Sequence, residues 1–172
     1  MTADTLRTGR LLLSRPVAGD VEAILAIHAD PLACAHNPGD ALASRTEAEE
    51  LFGRWDAHWR RHGFGYWVLR RQETPDPIGF CGLKRMELHR RPVLNLLYRL
   101  APAAWGAGLG GEAATAVVTW ARAELPGQPV IARVRPDNHA SHRVALRAGL
   151  RRVPHLDELG LDGPDQIYEL PT

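Results

Sequence analysis

The sequence predicts a mixed α/β fold (an α+β mixed sheet), one sheet with antiparallel and parallel strands covered by helices. Two observations predict it. Residues 66–71, 78–86 and 93–100 (YWVLRR, IGFCGLKRM, VLNLLYRL) are consecutive strand-like runs parted only by short turns containing TPDP and HRRP, the pattern of an antiparallel meander. After residue 100 the pattern becomes glycine loop, helix, strand, helix, a unit that connects strands by a crossover. The 172 residues suit one domain, taken as 1–172, with no internal repeat and no low-complexity linker.

The first strand is expected at 10–15, RLLLSR, ended by Pro16. Asp20 is placed to cap a helix over 21–29, whose Val21, Ile24, Leu25 and Ile27 lie largely on one side and which Asp30-Pro31 stops. A loop with Asn37-Pro38-Gly39 follows. Thr46 and Glu49 read as a capping box for a helix over 46–62, in which Leu51, Phe52, Trp55 and Trp59 recur at three- and four-residue steps. Gly63 and Gly65 end it. After the meander come a helix near 109–124, a strand at 129–134, a helix at 138–148, and short strands near 150–153 and 166–170. The total is about seven strands and four helices.

A formal charge of +1 gives no global field that would mark a nucleic acid or a membrane as partner, so a phosphorylated ligand would be held locally. Twenty Arg against the single Lys84 fit a high-GC genome. Cys34 and Cys81 make no disulfide framework, the opening residues are not signal-like, and no apolar run approaches the roughly 20 residues of a membrane span. The expected compartment is the cytoplasm.

Residues 104–114, AWGAGLGGEAA, carry the strongest signal. Gly106-Ala107-Gly108-Leu109-Gly110-Gly111 satisfies the dinucleotide spacing GxGxxG, yet three strands precede it, only about 60 residues follow, and no acidic residue stands about 20 positions on. A phosphate loop of the Lys-Ser or Lys-Thr type fails as well, because no such pair closes the run. What remains is a glycine loop opening a helix, whose unpaired N–H groups and dipole attract an anion such as phosphate. No Ser, Thr, Asp or Asn stands at the expected N-cap, so an external oxyanion can fill that place, with Glu112 in the first turn competing for it. A glycine turn imposed by tight helix–sheet packing is the alternative.

Read in order, IGFCGL, NLLYRLAPAAWGAGLGGEAA and RVRPDNHASHRVALRAGL resemble the Rim-type branch of the GNAT superfamily of acyl-CoA-dependent N-acetyltransferases, and TGRLLLSRP resembles that family's first strand. The resemblance implies a sheet of about seven strands, splayed between its fourth and fifth, with the thioester arm of acetyl-CoA in the gap. It further implies that the backbone of Tyr98, Arg99 and Leu100 pairs with the pantetheine arm, and that Trp105 and the amides of Gly106, Ala107, Gly108, Leu109, Gly110 and Gly111 surround the pyrophosphate. Asn138 would hold the pantetheine from the far side, and Arg143 would meet the CoA phosphates. Three departures stand out. Asn95 and Leu97 replace a Glu and a Gly, Gly149-Leu150 replaces Gly-Phe, and Ala145 stands where many relatives outside this branch carry a proton-donating Tyr.

Acyl transfer to an amine needs a neutral amine, a polarised carbonyl and a stabilised leaving sulfur. A backbone N–H at Leu97 or Tyr98 is expected to polarise the carbonyl and Ser141 to donate to the sulfur, unless Ser141 bonds a helix carbonyl instead. Glu87, His89, Asp157 and Glu158 are the base candidates, with a water chain as the other route. His58 with His62, and His139 with His142, have metal-compatible spacing, but the two Arg inside HWRRH and the missing Glu argue against a metal. Cys81 reads as core, and Trp55 and Trp59 as core or groove wall. The function expected is transfer of an acetyl group from acetyl-CoA to a primary amine, on a small molecule or a protein N-terminus, in a ternary complex. A noncatalytic acyl-CoA-binding sensor is the alternative, and a homodimer is the oligomer expected.

Overall fold

The apolar runs become a sheet that positions a single gap. Among residues 4–172, which the computed structural model describes, there are nine strands and four helices. In chain order they are β1 (Thr5–Arg7), β2 (Leu11–Ser14), α1 (Val21–Ala29), α2 (Arg45–His62), β3 (Tyr66–Arg71), β4 (Pro77–Leu88) and β5 (Arg91–Leu100). Then follow α3 (Leu109–Glu124), β6 (Val130–Val134), α4 (His139–Arg147), β7 (Arg151–Arg152), β8 (Glu158–Gly160) and β9 (Gly163–Glu169). The sheet order is β1-β2-β3-β4-β5-β6-β9-β7, with β8 paired to β9. Neighbours are antiparallel except β5 and β6, which are parallel as the crossover through α3 requires.

The meander and the four helices stand where the sequence placed them, and the strand number rises from about seven to nine. The two additions, β1 and β8, have three residues each, too short to show a two-residue alternation. Two caps also differ. The box of α2 is Ser44 with Glu47, not Thr46 with Glu49: Ser44 has extended backbone and accepts the Glu47 N–H, while the Glu47 carboxylate accepts the Ser44 N–H. Asp20 precedes α1 without capping it, because its carboxylate is taken by the Val17 N–H and the Arg70 guanidinium.

One face of the sheet packs against α1 and the first turns of α2, through Val21, Ile24, Ile27, Trp55, Tyr66, Val68 and Phe80. The other packs against α3 and α4, through Leu83, Leu94, Leu96, Ala113, Val117, Val118 and Ala145. Trp59 joins this second cluster from the end of α2, its ring edge-on to Trp67 at 5.2 Å and its indole N–H on the Tyr66 carbonyl. Both α2 tryptophans are therefore core. Cys81 is fully buried, and burial pushes its thiol far above the ordinary range. No helix among the described residues is long and apolar enough to cross a membrane.

The second glycine of IGFCGL has a packing reason. The Leu83 N–H reaches the Gly65 carbonyl at 3.1 Å, and a Cβ on Gly82 would lie inside the van der Waals shell of that carbonyl oxygen and of the Tyr66 Cα. Both obstacles are backbone, so neither rotates away. Gly82→Ala is expected to cost about 1–3 kcal/mol, as overpacking does, read as a lower denaturation midpoint at unchanged m-value.

Candidate functional site

The gap begins where β5 loses a neighbour. Along its full length β5 pairs with β4, from Arg91 to Leu100, but with β6 it pairs only at Leu94–Val130 and Asn95–Ile131. The Leu94 N–H donates to the Pro129 carbonyl at 2.8 Å on the β6 side. Backbone groups alternate along a strand, so those of Leu96, Tyr98 and Leu100 face the same way as those of Leu94; the Asn95–Ile131 pairing engages the Leu96 N–H, and from the Leu96 carbonyl onward β5 has passed its last sheet partner. The Leu100 carbonyl receives the Trp105 indole N–H at 3.0 Å. For the remaining groups the sheet supplies no strand, although a buried backbone polar group without a partner is costly.

The cleft that opens there holds about 1010 Å³ and runs from the glycine loop, past β5 and α4, to the α1–α2 loop and the β8–β9 turn. At its first end Gly106 and Gly108 have φ of 84° and 74°, left-handed values that favour glycine, and Gly108 is the N-cap of α3. No side chain caps that helix, so the N–H groups of its first turn face the cleft. Glu112 does not compete for the site. Burial pushes its carboxyl up, but hydrogen bonds from Thr8 and from the Arg10 backbone and guanidinium outweigh that, and the group sits below its usual range, turned to the β1–β2 loop.

Two arginines that the sequence reading passed over flank the loop. Arg10 donates to the Ala107 carbonyl at 2.8 Å while bridging to Glu112 at 2.6 Å. The Arg147 side chain lies across the head of α3, so that a Cβ on Gly111 would stand 2.7 Å from its Cδ and one on Gly108 3.0 Å from its guanidinium. Arg147 follows Arg143 by four residues on α4, and both line the cleft. That i, i+4 spacing is the signal that would have found Arg147. Arg10 gave none, lying 97 residues from its loop partner.

In mid-cleft, the Tyr98 hydroxyl lies 2.6 Å from Ser141 Oγ and donates to the Ser141 carbonyl at 2.9 Å. Ser141 Oγ is thus paired across the cleft wall with a phenol, not with a carbonyl of its own helix. Burial pushes the Tyr98 hydroxyl well above its ordinary range, so it stays protonated. Asn138 caps α4, its side-chain oxygen accepting the Ser141 N–H at 3.1 Å, which leaves its NH2 for the cleft.

The far end is polar and mostly ion-paired. Arg99 meets Asp40 of the α1–α2 loop at 2.8 Å, and Arg133 meets Asp165 at 2.9 Å. Asp162 accepts the Gly39 N–H at 2.9 Å, and His36 lies 3.4 Å from Asp137. These last two contacts tie the α1–α2 loop to elements across the gap. Beneath Arg99, the buried His28 stacks on Phe80 at 5.5 Å and shares a 2.8 Å hydrogen bond with the Ile24 carbonyl. Burial, reinforced by Arg99, holds its pKa at about 4, against 6.5 for an ordinary imidazole. The unfolded chain therefore binds this proton first on acidification, and the stability tied to neutral His28 is present above pH 6.5 and lost as pH falls toward 4. Denaturant titrations at pH 7 and pH 4.5 should show that loss reduced in His28→Asn.

Residues 10–151 match the profile of the acetyltransferase (GNAT) domain. The chain belongs to the GNAT acetyltransferase family. YoaA, an uncharacterized N-acetyltransferase of Bacillus subtilis strain 168, is 26% identical over 148 residues, 86% of this chain and 82% of that protein. An acetyltransferase from Agrobacterium tumefaciens strain C58 superposes with TM-score 0.82 at 27% identity, covering 98% of this chain and 94% of that one. RimL, a ribosomal L7/L12 alpha-N-protein acetyltransferase solved with coenzyme A, shares the fold at 18% identity, with TM-score 0.75 over 96% of each chain.

Within this GNAT chain several expected site residues stand differently. Arg99 has the wrong parity: its backbone faces β4 and its side chain pairs with Asp40. For the same reason the Leu97 N–H faces β4, leaving Tyr98 as the strand donor on the gap side. Of the expected bases, Glu87 and His89 are exposed beyond the cleft, Asp157 is bound by Arg152 and the Ile167 N–H, and Glu158 pairs with Arg133 at 3.2 Å. None of the four lines the GNAT cleft. The histidine pairs are engaged by the protein, His58 with the Phe64 carbonyl and the Arg85 N–H, and His142 with the Tyr168 hydroxyl and the Pro136 carbonyl.

Proposed function

We propose that the chain, as one domain, is an acetyl-CoA-dependent N-acetyltransferase of the Rim type that transfers an acetyl group to a primary amine, on a small molecule or a protein N-terminus. The observation that carries this reading is the alignment of a strand edge without a neighbouring strand, open from the Leu96 carbonyl through both backbone groups of Tyr98, with an uncapped helix head at Gly108. A ligand with amides at one end and a diphosphate at the other satisfies both. The amides add to the sheet as a further strand would, and the phosphates take the helix N–H groups and dipole.

Acetyl-CoA supplies an acetyl group activated as a thioester. The Gly108–Gly111 amides, with Arg147 and Arg143, hold the phosphates, Trp105 borders them, and the Asn138 NH2 faces the arm from α4. The Tyr98 N–H points into the gap, where it polarises the thioester carbonyl. The amine nitrogen attacks that carbon, the carbon–sulfur bond breaks, and Ser141 Oγ–H donates to the departing sulfur as the nitrogen proton leaves to water.

Acetyl-CoA turnover over a panel of amines and N-terminal peptides, followed as free thiol, tests the proposal. Thiol release that depends on the amine supports it. Tight coenzyme A binding with no release across the panel would instead support a noncatalytic sensor, the reading that Asn95 in place of a carboxylate favours.

A further inference from the structure

The amide oxygen of Asn95 has no hydrogen-bond partner, the single such buried side-chain atom among the described residues. Asn95 is also the last residue of β5 paired with β6, so it stands at the apex of the gap and lines the cleft. Its cross-strand partner is Lys84, on the same face and lining the same cleft.

The charges around it divide unevenly. Each carboxylate of the cleft is engaged: Asp40 by Arg99, Asp165 by Arg133, and Asp162 by the Gly39 N–H. Among the described residues, Lys84 makes no ion pair, and Arg135 donates only to the Pro164 carbonyl. His36, the imidazole of the cleft, is turned to Asp137, and the Tyr66 phenol is held protonated by burial. An ammonium ion brought to Asn95 therefore meets the unpaired positive charge of Lys84 on the facing strand, while the cleft carboxylate without a cation, Asp162, belongs to the β8–β9 turn and is bound to the Gly39 N–H.

Resting on the acetyltransferase reading, we infer that the Asn95 carboxamide turns its buried Oδ1 into the cleft to accept one N–H of the acceptor amine, and that the site selects weakly basic amines, which arrive already neutral. A carboxamide cannot take a proton, so the acceptor must lose its own to solvent before it enters. Held by one N–H, a neutral amine keeps its lone pair free for the thioester carbon. A lysine side chain, at about 10.4, is almost wholly charged at pH 7, whereas a peptide α-amine, at about 7.7–8.0, is partly neutral.

The test compares an N-terminal peptide with an α-blocked lysine as acceptors, by kcat/KM from pH 6 to 10. The peptide is expected to lead by about 100-fold or more at pH 7, and each profile should rise to a plateau near its own acceptor's pKa. Asn95→Leu should raise the amine KM about tenfold while calorimetry finds acetyl-CoA binding unchanged, and Asn95→Asp should narrow the gap between acceptors. Equal rates for both amines at pH 7, or one imidazole-like inflection near pH 6.5 for both, would overturn the selection. An unaltered amine KM in Asn95→Leu would overturn the contact. No heat with acetyl-CoA and the wild-type chain would bring down the acetyltransferase reading itself, and this inference with it.

Discussion

Gly108→Val is expected to weaken coenzyme A binding by about 100-fold or more while the protein remains folded. Gly108 is the N-cap of α3 and has φ of 74°, where an L-residue costs about 1–2 kcal/mol and a β-branched one more. Relaxing that strain rotates the first-turn N–H groups away from the cleft. Each charge-assisted hydrogen bond to phosphate is worth about 1.5–3 kcal/mol, so losing two removes about 3–6 kcal/mol, and every 1.4 kcal/mol is tenfold in affinity. Gly127 is the control, with φ of 75° in open space between α3 and β6. Gly127→Val should lose comparable stability in a thermal melt and keep its calorimetric affinity for coenzyme A. If both variants bind as the parent does, the helix head does not hold the diphosphate.

The glycine loop was legible in the sequence because its chemistry is local: uninterrupted spacing from Gly106 to Gly111 writes a bare backbone directly into the chain. The meander was legible for a similar reason, since apolar runs bounded by turn residues, which became strands of six to twelve residues, are read without knowledge of partners. Parity within β5 was present too, yet deciding which residues face the gap needed one hydrogen bond, Leu94 to Pro129, that only the folded chain supplies. Hence Arg99 and Leu97 were assigned to the gap and in fact turn from it. The Asp40–Arg99 pair and the Gly39–Asp162 contact join residues 59 and 123 positions apart. No periodicity announces such contacts, because they are fixed by how the α1–α2 loop crosses the sheet. Glu87 was a candidate base by closeness in sequence to the meander, and the same alternation that turns Lys84 and Met86 into the cleft turns Glu87 out of it.

Ser141→Ala is expected to lower kcat by roughly 100-fold, at the modest end of proton-donor effects because a serine hydroxyl is a weak acid. The pairing with Tyr98 makes the cause separable from damage to the fold. With the Tyr98 hydroxyl donating to the Ser141 carbonyl at 2.9 Å, the 2.6 Å contact is left for Ser141 to donate to Tyr98. When Ser141 turns its hydrogen to the sulfur, the Tyr98 hydrogen is free to swing from the carbonyl to Ser141 Oγ, offsetting the negative charge that builds on that oxygen as its proton moves toward sulfur. Tyr98→Phe removes that second hydrogen but leaves the first donor, so it should cost less, about tenfold. Because the two hydroxyls act in series, the double variant should be no slower than Ser141→Ala alone. Each substitution should also cost about 1 kcal/mol of stability for the hydrogen bond lost, and those costs enter a melt without entering kcat at saturating substrates. A double variant slower than Ser141→Ala by the full Tyr98→Phe factor would mean that the phenol acts independently of Ser141. Unchanged kcat in Ser141→Ala, with chemistry shown to be rate-limiting, would remove the hydroxyl pair from the reaction.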